Sequence, residues 1–283
     1  GLARAVGANV TKHKIGDRVG VGCMVDSCRQ CEACHEGEEQ FCAGQTGTYM
    51  SVEKQSGLPT YGGYSKSITV TQDFVLRIPD GLSSERAAPL LCAGITTYSP
   101  LRHWNVQAGQ KVGVVGLGGL GHMAVKLAKA MDAHVVVFTT SQSKVADAKA
   151  LGADEVVLSK DAAQMKPHAN SFHLIINSVS AAHDLAQFTK LLRRNGTLCL
   201  LGAPPVTESH QWPAVFTMLM GRRSVAGSPI GGIRETQEML DFCAAKGVAP
   251  EIEVIAPEGI NGAYERLVKG DVRYRFVIDM ATL

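Results

Sequence analysis

Residues 111–131 read KVGVVGLGGLGHMAVKLAKAM: a short apolar run, a six-residue turn containing four glycines, and a helical pattern. Lys111 to Val115 is long enough for one buried strand. Beyond the turn, Ala124, Leu127, Ala128 and Met131 recur at the spacing of one buried helix face, with Lys126 and Lys129 pointing outward. Short apolar strands are predicted again at 134–138, 155–158, 172–177, 196–201 and 224–228. Helical stretches at 144–151 and 182–192 fall between them. Strand and helix in alternation predict an α/β fold, a doubly wound parallel sheet covered on both faces.

The two ends differ from this middle. Residues 1–80 are β-rich and turn-rich, with strands predicted at 17–22 and 64–78, punctuated by Gly62-Gly63 and Pro79-Asp80-Gly81. A helix is predicted from Ser83, capped by Ser83 or Ser84 and with Glu85 in its first turn. The tail carries one amphipathic helix around 235–246 and a last strand at 273–279. With 283 residues, the chain is long enough for about two domains.

Composition narrows the function classes. The chain is 45% hydrophobic and 19% charged, which excludes wholesale disorder, and its +2 net charge gives no footprint for nucleic acid or an anionic membrane. No apolar run approaches the ~20 residues of a membrane span, and residues 1–10 carry no signal-peptide core. The segment reads as soluble and cytoplasmic.

The turn itself, Gly116-Leu117-Gly118-Gly119-Leu120-Gly121, satisfies G-x-G-x-x-G between a strand and a helix, the setting in which the pattern binds a dinucleotide. Gly116 allows the tight turn, Gly118 lets backbone approach a pyrophosphate, and Gly121 lets helix and strand pack closely. An NAD site places an acid at the end of the next strand. Here that strand ends Phe138-Thr139-Thr140-Ser141, with Lys144 following. Hydroxyls and a cation favour the 2′-phosphate of NADP. In the competing reading Ser141 or Ser143 caps the next helix and Lys144 is solvated.

Four of the eight cysteines, Cys28, Cys31, Cys34 and Cys42, fall within fifteen residues. Four thiolates in one short loop complete a tetrahedral zinc shell with no open position, so the zinc is expected to be structural. The C-x2-C-x2-C opening is shared with ferredoxins, but x7 and Ala43 replace the x3-Cys-Pro that continues that pattern. Glu32, Glu36, Glu38 and Glu39 make the loop too acidic for a nucleic-acid-reading ribbon, and His35 is a bystander to a complete shell. Cys23, Cys92, Cys199 and Cys243 stand singly.

A four-cysteine loop ahead of a dinucleotide-binding domain resembles the zinc-dependent medium-chain alcohol dehydrogenases. The resemblance also rests on Gly47-Thr48-Tyr49, Gly62-Gly63-Tyr64, Pro89-Leu90-Leu91-Cys92-Ala93-Gly94-Ile95-Thr96-Thr97-Tyr98, Gly152-Ala153-Asp154 and Tyr274-Arg275-Phe276-Val277-Ile278-Asp279. Within the family the chain is most similar to the cinnamyl-alcohol-dehydrogenase-type branch, which includes bacterial NADP-dependent aldehyde reductases. The resemblance implies a partial GroES-like catalytic domain over 1–91, a Rossmann NADP-binding domain over 92–230, and a segment 231–283 returning to the catalytic domain.

It also implies roles. Cys92 matches the family's third catalytic zinc ligand. Thr97 lies near the nicotinamide, while Val179, Gly202, Ser228 and Ile230 line the cofactor and Arg273 contacts its phosphate. Gly1 to Gly7 resembles the strand that follows the family's Gly-His-Glu motif, so the other catalytic zinc ligands are expected upstream of Gly1, in an N-terminally truncated record. The expected activity of the complete protein is hydride transfer between NADP(H) and an aldehyde or primary alcohol, with a homodimer as the expected assembly. Two alternatives stand beside it: a catalytically silent chain binding NADP and structural zinc, and an NAD-dependent alcohol or polyol dehydrogenase. Trp104 and Trp212 are open to two readings, as pocket aromatics or as packing residues.

Overall fold

The computed structural model describes residues 1–283, which form two compact units, Gly1–Ile95 with Ile230–Leu283, and Thr96–Pro229. The first unit opens with short strands. β1 (Val19–Val21) pairs antiparallel with β6 (Val75–Arg77), β2 (Met24–Asp26) with β3 (Thr46–Gly47), and β4 (Tyr49–Val52) with β5 (Pro59–Tyr61). Between β2 and β3 lies a one-turn helix, α1 (Glu32–Glu36), ended by Gly37 in the left-handed conformation. After β6 comes α2 (Ser84–Pro89), which runs through a π-helical turn over Leu90–Gly94 into α3 (Ile95–His103).

The second unit is built on one six-stranded parallel sheet. Its strands are β7 (Lys111–Val115), β8 (His134–Thr139), β9 (Glu155–Leu158), β10 (Phe172–Asn177), β11 (Leu192–Leu200) and β12 (Ser224–Gly227), in the order β12-β11-β10-β7-β8-β9. The strand order reverses between β7 and β10, the switch point where open α/β sheets bind ligands beyond their carboxyl ends. Helices α4 (Gly121–Ala130), α5 (Val145–Ala150), α6 (Ala162–Met165), α7 (Ala186–Thr189) and α8 (Val215–Gly221) make the connections. One side of the core joins Val115, Phe138, Phe172, Ile175, Phe188 and Leu198. Phe138 packs edge-on against Phe172 and Phe188, with ring centroids 5.5 and 5.6 Å away. Gly113 on β7 makes room for this: a Cβ there would stand 3.1 Å from the Phe138 ring and 3.0 Å from Ile175.

The chain then returns to the first unit through α9 (Ile233–Lys246), β13 (Ile252–Ile255), α10 (Ile260–Val268) and β14 (Arg275–Ile278), with β13 and β14 parallel. No helix is long and apolar enough to cross a membrane.

Three expectations from the sequence need correction. Residues 182–192 are not one helix; only Ala186–Thr189 is helical. Asp184 bridges to Gln211, the Leu185 N–H donates to the Gln211 carbonyl at 2.9 Å, and the Asp184 carboxylate accepts the Ala186 N–H, so backbone groups there are satisfied outside a helix. The strand expected at 196–201 begins earlier, at Leu192, with a register shift against β10. Of the stretch 64–78, only Val75–Arg77 is strand. Its Gln72 turns instead to accept the backbone N–H groups of Thr11 and Lys12.

Candidate functional site

The glycine turn leaves β7 at the switch point. Gly116 has φ +86°, and a Cβ there would meet Val179 at 2.8 Å; at Gly121 a Cβ would stand 2.1 Å from the Gly116 carbonyl. Both glycines are therefore required by the protein's own packing. Gly118 is different, because a Cβ there would meet nothing within 4 Å. Its missing side chain keeps open the space in front of the N-terminal end of α4, where backbone amides and the helix dipole favour an anion. Gly119 and Leu120 complete the turn. Gly202, beyond β11, allows a second close approach, since its Cβ would meet the Val179 carbonyl at 2.5 Å. Gly116, Val179 and Gly202 thus meet at the sheet's carboxyl edge. The Ser228 N–H joins that edge by donating to the Leu200 carbonyl at 3.2 Å.

At the end of β8 no carboxylate appears. Thr139 is buried and its hydroxyl accepts the Ser141 N–H at 3.1 Å, while Thr140 is exposed. The Ser141 and Ser143 hydroxyls are 2.7 Å apart. The Lys144 ammonium donates to the Leu117 carbonyl at 3.0 Å, which holds it over the glycine turn. Thr97 is fully buried in α3. Ile230 and Arg273 belong to the other unit. There Ile230 has φ +26°, the Arg273 N–H donates to the Glu253 carboxylate at 3.3 Å, and its guanidinium lies 5.9 Å from the centre of the Tyr274 ring.

The four-cysteine lobe is a preformed metal cage. Cys28, Cys31, Cys34 and Cys42 have their sulfurs within 4.8 Å of one another, with Cys28–Cys34 at 3.9 Å and Cys31–Cys34 at 3.6 Å. Zinc–sulfur bonds of ~2.3 Å in a tetrahedron require sulfurs about 3.8 Å apart, so the donor set fits zinc. Amide donors from Gln30 and Cys31 hold the Cys28 thiol down to about 6. The Cys34 amide acts the same way on Cys31, but its contacts with the Cys28 and Cys34 sulfurs outweigh it and raise Cys31 to about 11. The Ser27 hydroxyl, 3.3 Å away, favours the Cys34 thiolate. The lobe also grips the return segment. Glu39 accepts the Ile233 N–H at 3.0 Å, capping the first turn of α9, and Arg234 donates to the Glu36 carbonyl at 2.5 Å. Gly232 permits the approach, because a Cβ there would overlap the Gly37 carbonyl at 1.8 Å.

Cys92 sits in the π-helical turn and opens onto a cavity of about 390 Å³ lined by Tyr64, Ile255, Tyr264, Leu267, Arg275 and Phe276, among others. Its thiol hydrogen-bonds with Cys23 and faces the half-buried Arg275, which together lower it to about 6. Cys23 is raised in turn, first by that contact and then by burial, and Tyr49 shares a hydrogen bond with it. A catalytic zinc needs about three protein ligands. The only converging set of three or more His, Cys, Asp or Glu side chains in the chain is the four-cysteine lobe. The donors around Cys92 do not fit a zinc site. Cys23, Tyr49 and Arg275 escaped the sequence reading: Cys23 reaches Cys92 across 69 positions with no motif linking them, and Arg275 was visible only as part of Tyr-Arg-Phe-Val-Ile-Asp.

A doubly wound unit with a glycine-turn crevice, joined to a β-rich unit with a four-cysteine lobe, defines a metal-binding dehydrogenase architecture. The model of the alcohol dehydrogenase GroES-like domain matches residues 1–80, and that of the zinc-binding dehydrogenases matches residues 119–245. Aldehyde reductase YahK of Escherichia coli K12 is 57% identical over 284 residues, covering 100% of this chain and 81% of that protein. The cinnamyl alcohol dehydrogenase SbCAD4 of Sorghum bicolor superposes with a TM-score of 0.95 at 46% identity, covering 99% of this chain and 79% of its own. The CAD of Helicobacter pylori, solved complexed with NADP(H), gives 0.91 at 43% identity, over 99% and 80%. The chain belongs to the zinc-binding medium-chain alcohol dehydrogenase family, in its branch of NADP-dependent aldehyde reductases and cinnamyl alcohol dehydrogenases.

Proposed function

We propose that this chain binds NADP(H) for reversible hydride transfer to an aldehyde, the alcohol being the reverse substrate. The observation that carries this reading is the end of β8, where hydroxyls and the docked Lys144 stand in place of an acid. In it, the amides of Gly118 to Gly121 hold the pyrophosphate, and Thr139, Thr140 and Lys144 receive the 2′-phosphate. Val179, Gly202 and Ser228 shape the crevice towards the nicotinamide, with Thr97 as a further contact. The nicotinamide supplies the hydride, and the protein's part is to fix its approach to the carbonyl carbon. Relatives named for aldehyde and cinnamyl alcohol chemistry support the substrate class. Titration of the purified chain tests the cofactor assignment. NADPH should bind well ahead of NADH, and Lys144→Ala should weaken NADPH about tenfold or more, the worth of one charged hydrogen bond, with NADH unmoved. Equal affinity for the two cofactors in the unmodified chain would end the proposal.

A second reading rests on the donor set at Cys92, which does not close a zinc site: the chain holds NADP(H) and structural zinc without turnover. One zinc per chain and no aldehyde reduction would select it. Two zincs with turnover would select the enzyme.

We also propose a homodimer through the second unit. β12 pairs only with β11 and leaves one edge of the sheet open, and Val215, Phe216, Leu219 and Met220 of α8, which packs against β11, are each about 70% exposed.

A further inference from the structure

We propose that His183 is a positioning residue for the cofactor crevice, acting through Asn177 to fix Val179 on its nicotinamide side. The proposal rests on the reading of that crevice as the NADP(H) site. Asn177 follows the apolar run Leu174-Ile175-Ile176 and ends β10 beside β7, at the switch point, where it is only 1% exposed. A buried amide is costly in that place unless its polar atoms are bonded. Both ends of it are. Its Oδ1 accepts the Val179 N–H at 3.2 Å, and its Nδ2 lies 2.9 Å from His183 Nε2. On the far side of the imidazole, Nδ1 lies 2.8 Å from the Ala181 carbonyl.

The direction of each bond follows from its chemistry. The Ala181 carbonyl only accepts, so Nδ1 carries the imidazole proton. Asn177 commits its oxygen to Val179 and turns its NH2 towards His183, so Nε2 is the bare, accepting nitrogen. The two ends of the relay demand the same neutral tautomer. Val179 is the member that reaches the crevice. A Cβ at Gly116 would meet its side chain at 2.8 Å and one at Gly202 its carbonyl at 2.5 Å, so both glycines close on it. His183 is also held from outside the relay. Its N–H donates to His210 Nδ1 at 3.3 Å, its carbonyl accepts the Gln211 N–H at 3.2 Å, and its ring meets Phe188 edge-on with centroids 6.0 Å apart. Without the acceptor at Nε2, the Asn177 amide loses what fixes its orientation, and turning over would take its oxygen from Val179.

Two near-isosteric variants test it. Glutamine places an amide oxygen near the position of Nε2 and keeps an acceptor for Asn177, whereas asparagine reaches only the position of Nδ1. His183→Asn should weaken NADPH about fivefold or more, the worth of one hydrogen bond, and His183→Gln should restore most of that affinity. Adenosine 2′,5′-bisphosphate, which carries the 2′-phosphate but no nicotinamide, should bind all three chains alike. Nitrogen-15 NMR in mildly alkaline solution should show His183 protonated at Nδ1, its signals assigned by their loss in His183→Gln. The proposal is overturned if the proton sits on Nε2, if His183→Asn binds NADPH like the parent, or if glutamine does no better than asparagine. It is also overturned if the bisphosphate weakens together with NADPH, which would mark a general structural role. A parent chain that binds neither ligand overturns the cofactor reading and this proposal with it; a parent that binds both, beside an unaffected His183→Asn, overturns the role of His183 alone.

Discussion

Exchanging Gly118 and Gly121 for alanine, one at a time, separates packing from binding within a single turn. A Cβ at Gly121 would lie 2.1 Å from the Gly116 carbonyl oxygen. Backbone must then move by about 1 Å at the base of α4, and overpacking of that kind costs about 1–3 kcal/mol or more. At about 2–4 °C per kcal/mol for a domain of this size, Gly121→Ala should melt about 5–10 °C lower. Gly118 has open space around its Cβ position and is not among the glycines with positive φ. Gly118→Ala should leave the melting temperature unchanged or raise it, since losing unfolded-state freedom stabilises by about 0.4–1 kcal/mol. Its methyl, however, fills the space reserved for the pyrophosphate and should weaken NADPH at least about tenfold, or about 1.4 kcal/mol. Thermal melts and NADPH fluorescence titrations read the two effects apart. A Gly118→Ala chain binding NADPH like the parent would refute the assignment of the crevice, and a fully stable Gly121→Ala chain would refute the packing argument.

Metal analysis should return zinc bound by the lobe, and Cys34→Ser should lose it together with resistance to proteolysis around residues 28–42. Acid should destabilise the second unit through the group formed by Lys111, His134, Glu155 and His168. Burial, then the Lys111 charge, keeps His168 below 6.5, so the unfolded chain takes up its proton first and stability falls as pH drops below about 6.5. Glu155, held low first by His134, adds a loss of the same sign as pH falls through its folded value. His168→Gln should flatten the upper part of that fall in urea unfolding between pH 7.5 and 5, and an unchanged slope would contradict the burial argument. Phe216→Asp should shift sedimentation from dimer to monomer without lowering the melting temperature of the isolated protomer; a mutant that stays dimeric would exclude α8 from the interface.

What could be read from the sequence was whatever is encoded locally. The glycine turn announces itself because strand, turn and helix are consecutive, and the lobe because its ligands lie within fifteen residues. The misreadings all involve distant partners. The apolar spacing of 182–192 suits a helix, yet Gln211 draws Leu185 into a backbone bond that no local pattern encodes. Cys23 looked solitary because its partner lies on a π-helical turn formed by a later element. Lys144 stood out by its position after β8, but its bond to the Leu117 carbonyl depends on how the turn at Gln142–Lys144 and the glycine turn meet in space.

The clasp between the four-cysteine lobe and α9 joins residues nearly two hundred positions apart through the Glu39–Ile233 bond. The whole second unit lies between those two stretches in the chain. During synthesis the Glu39 carboxylate therefore stays unfilled until α9 has been made. A lobe without zinc should leave α9 poorly docked, nearly two hundred positions from the cysteines that lack their ion.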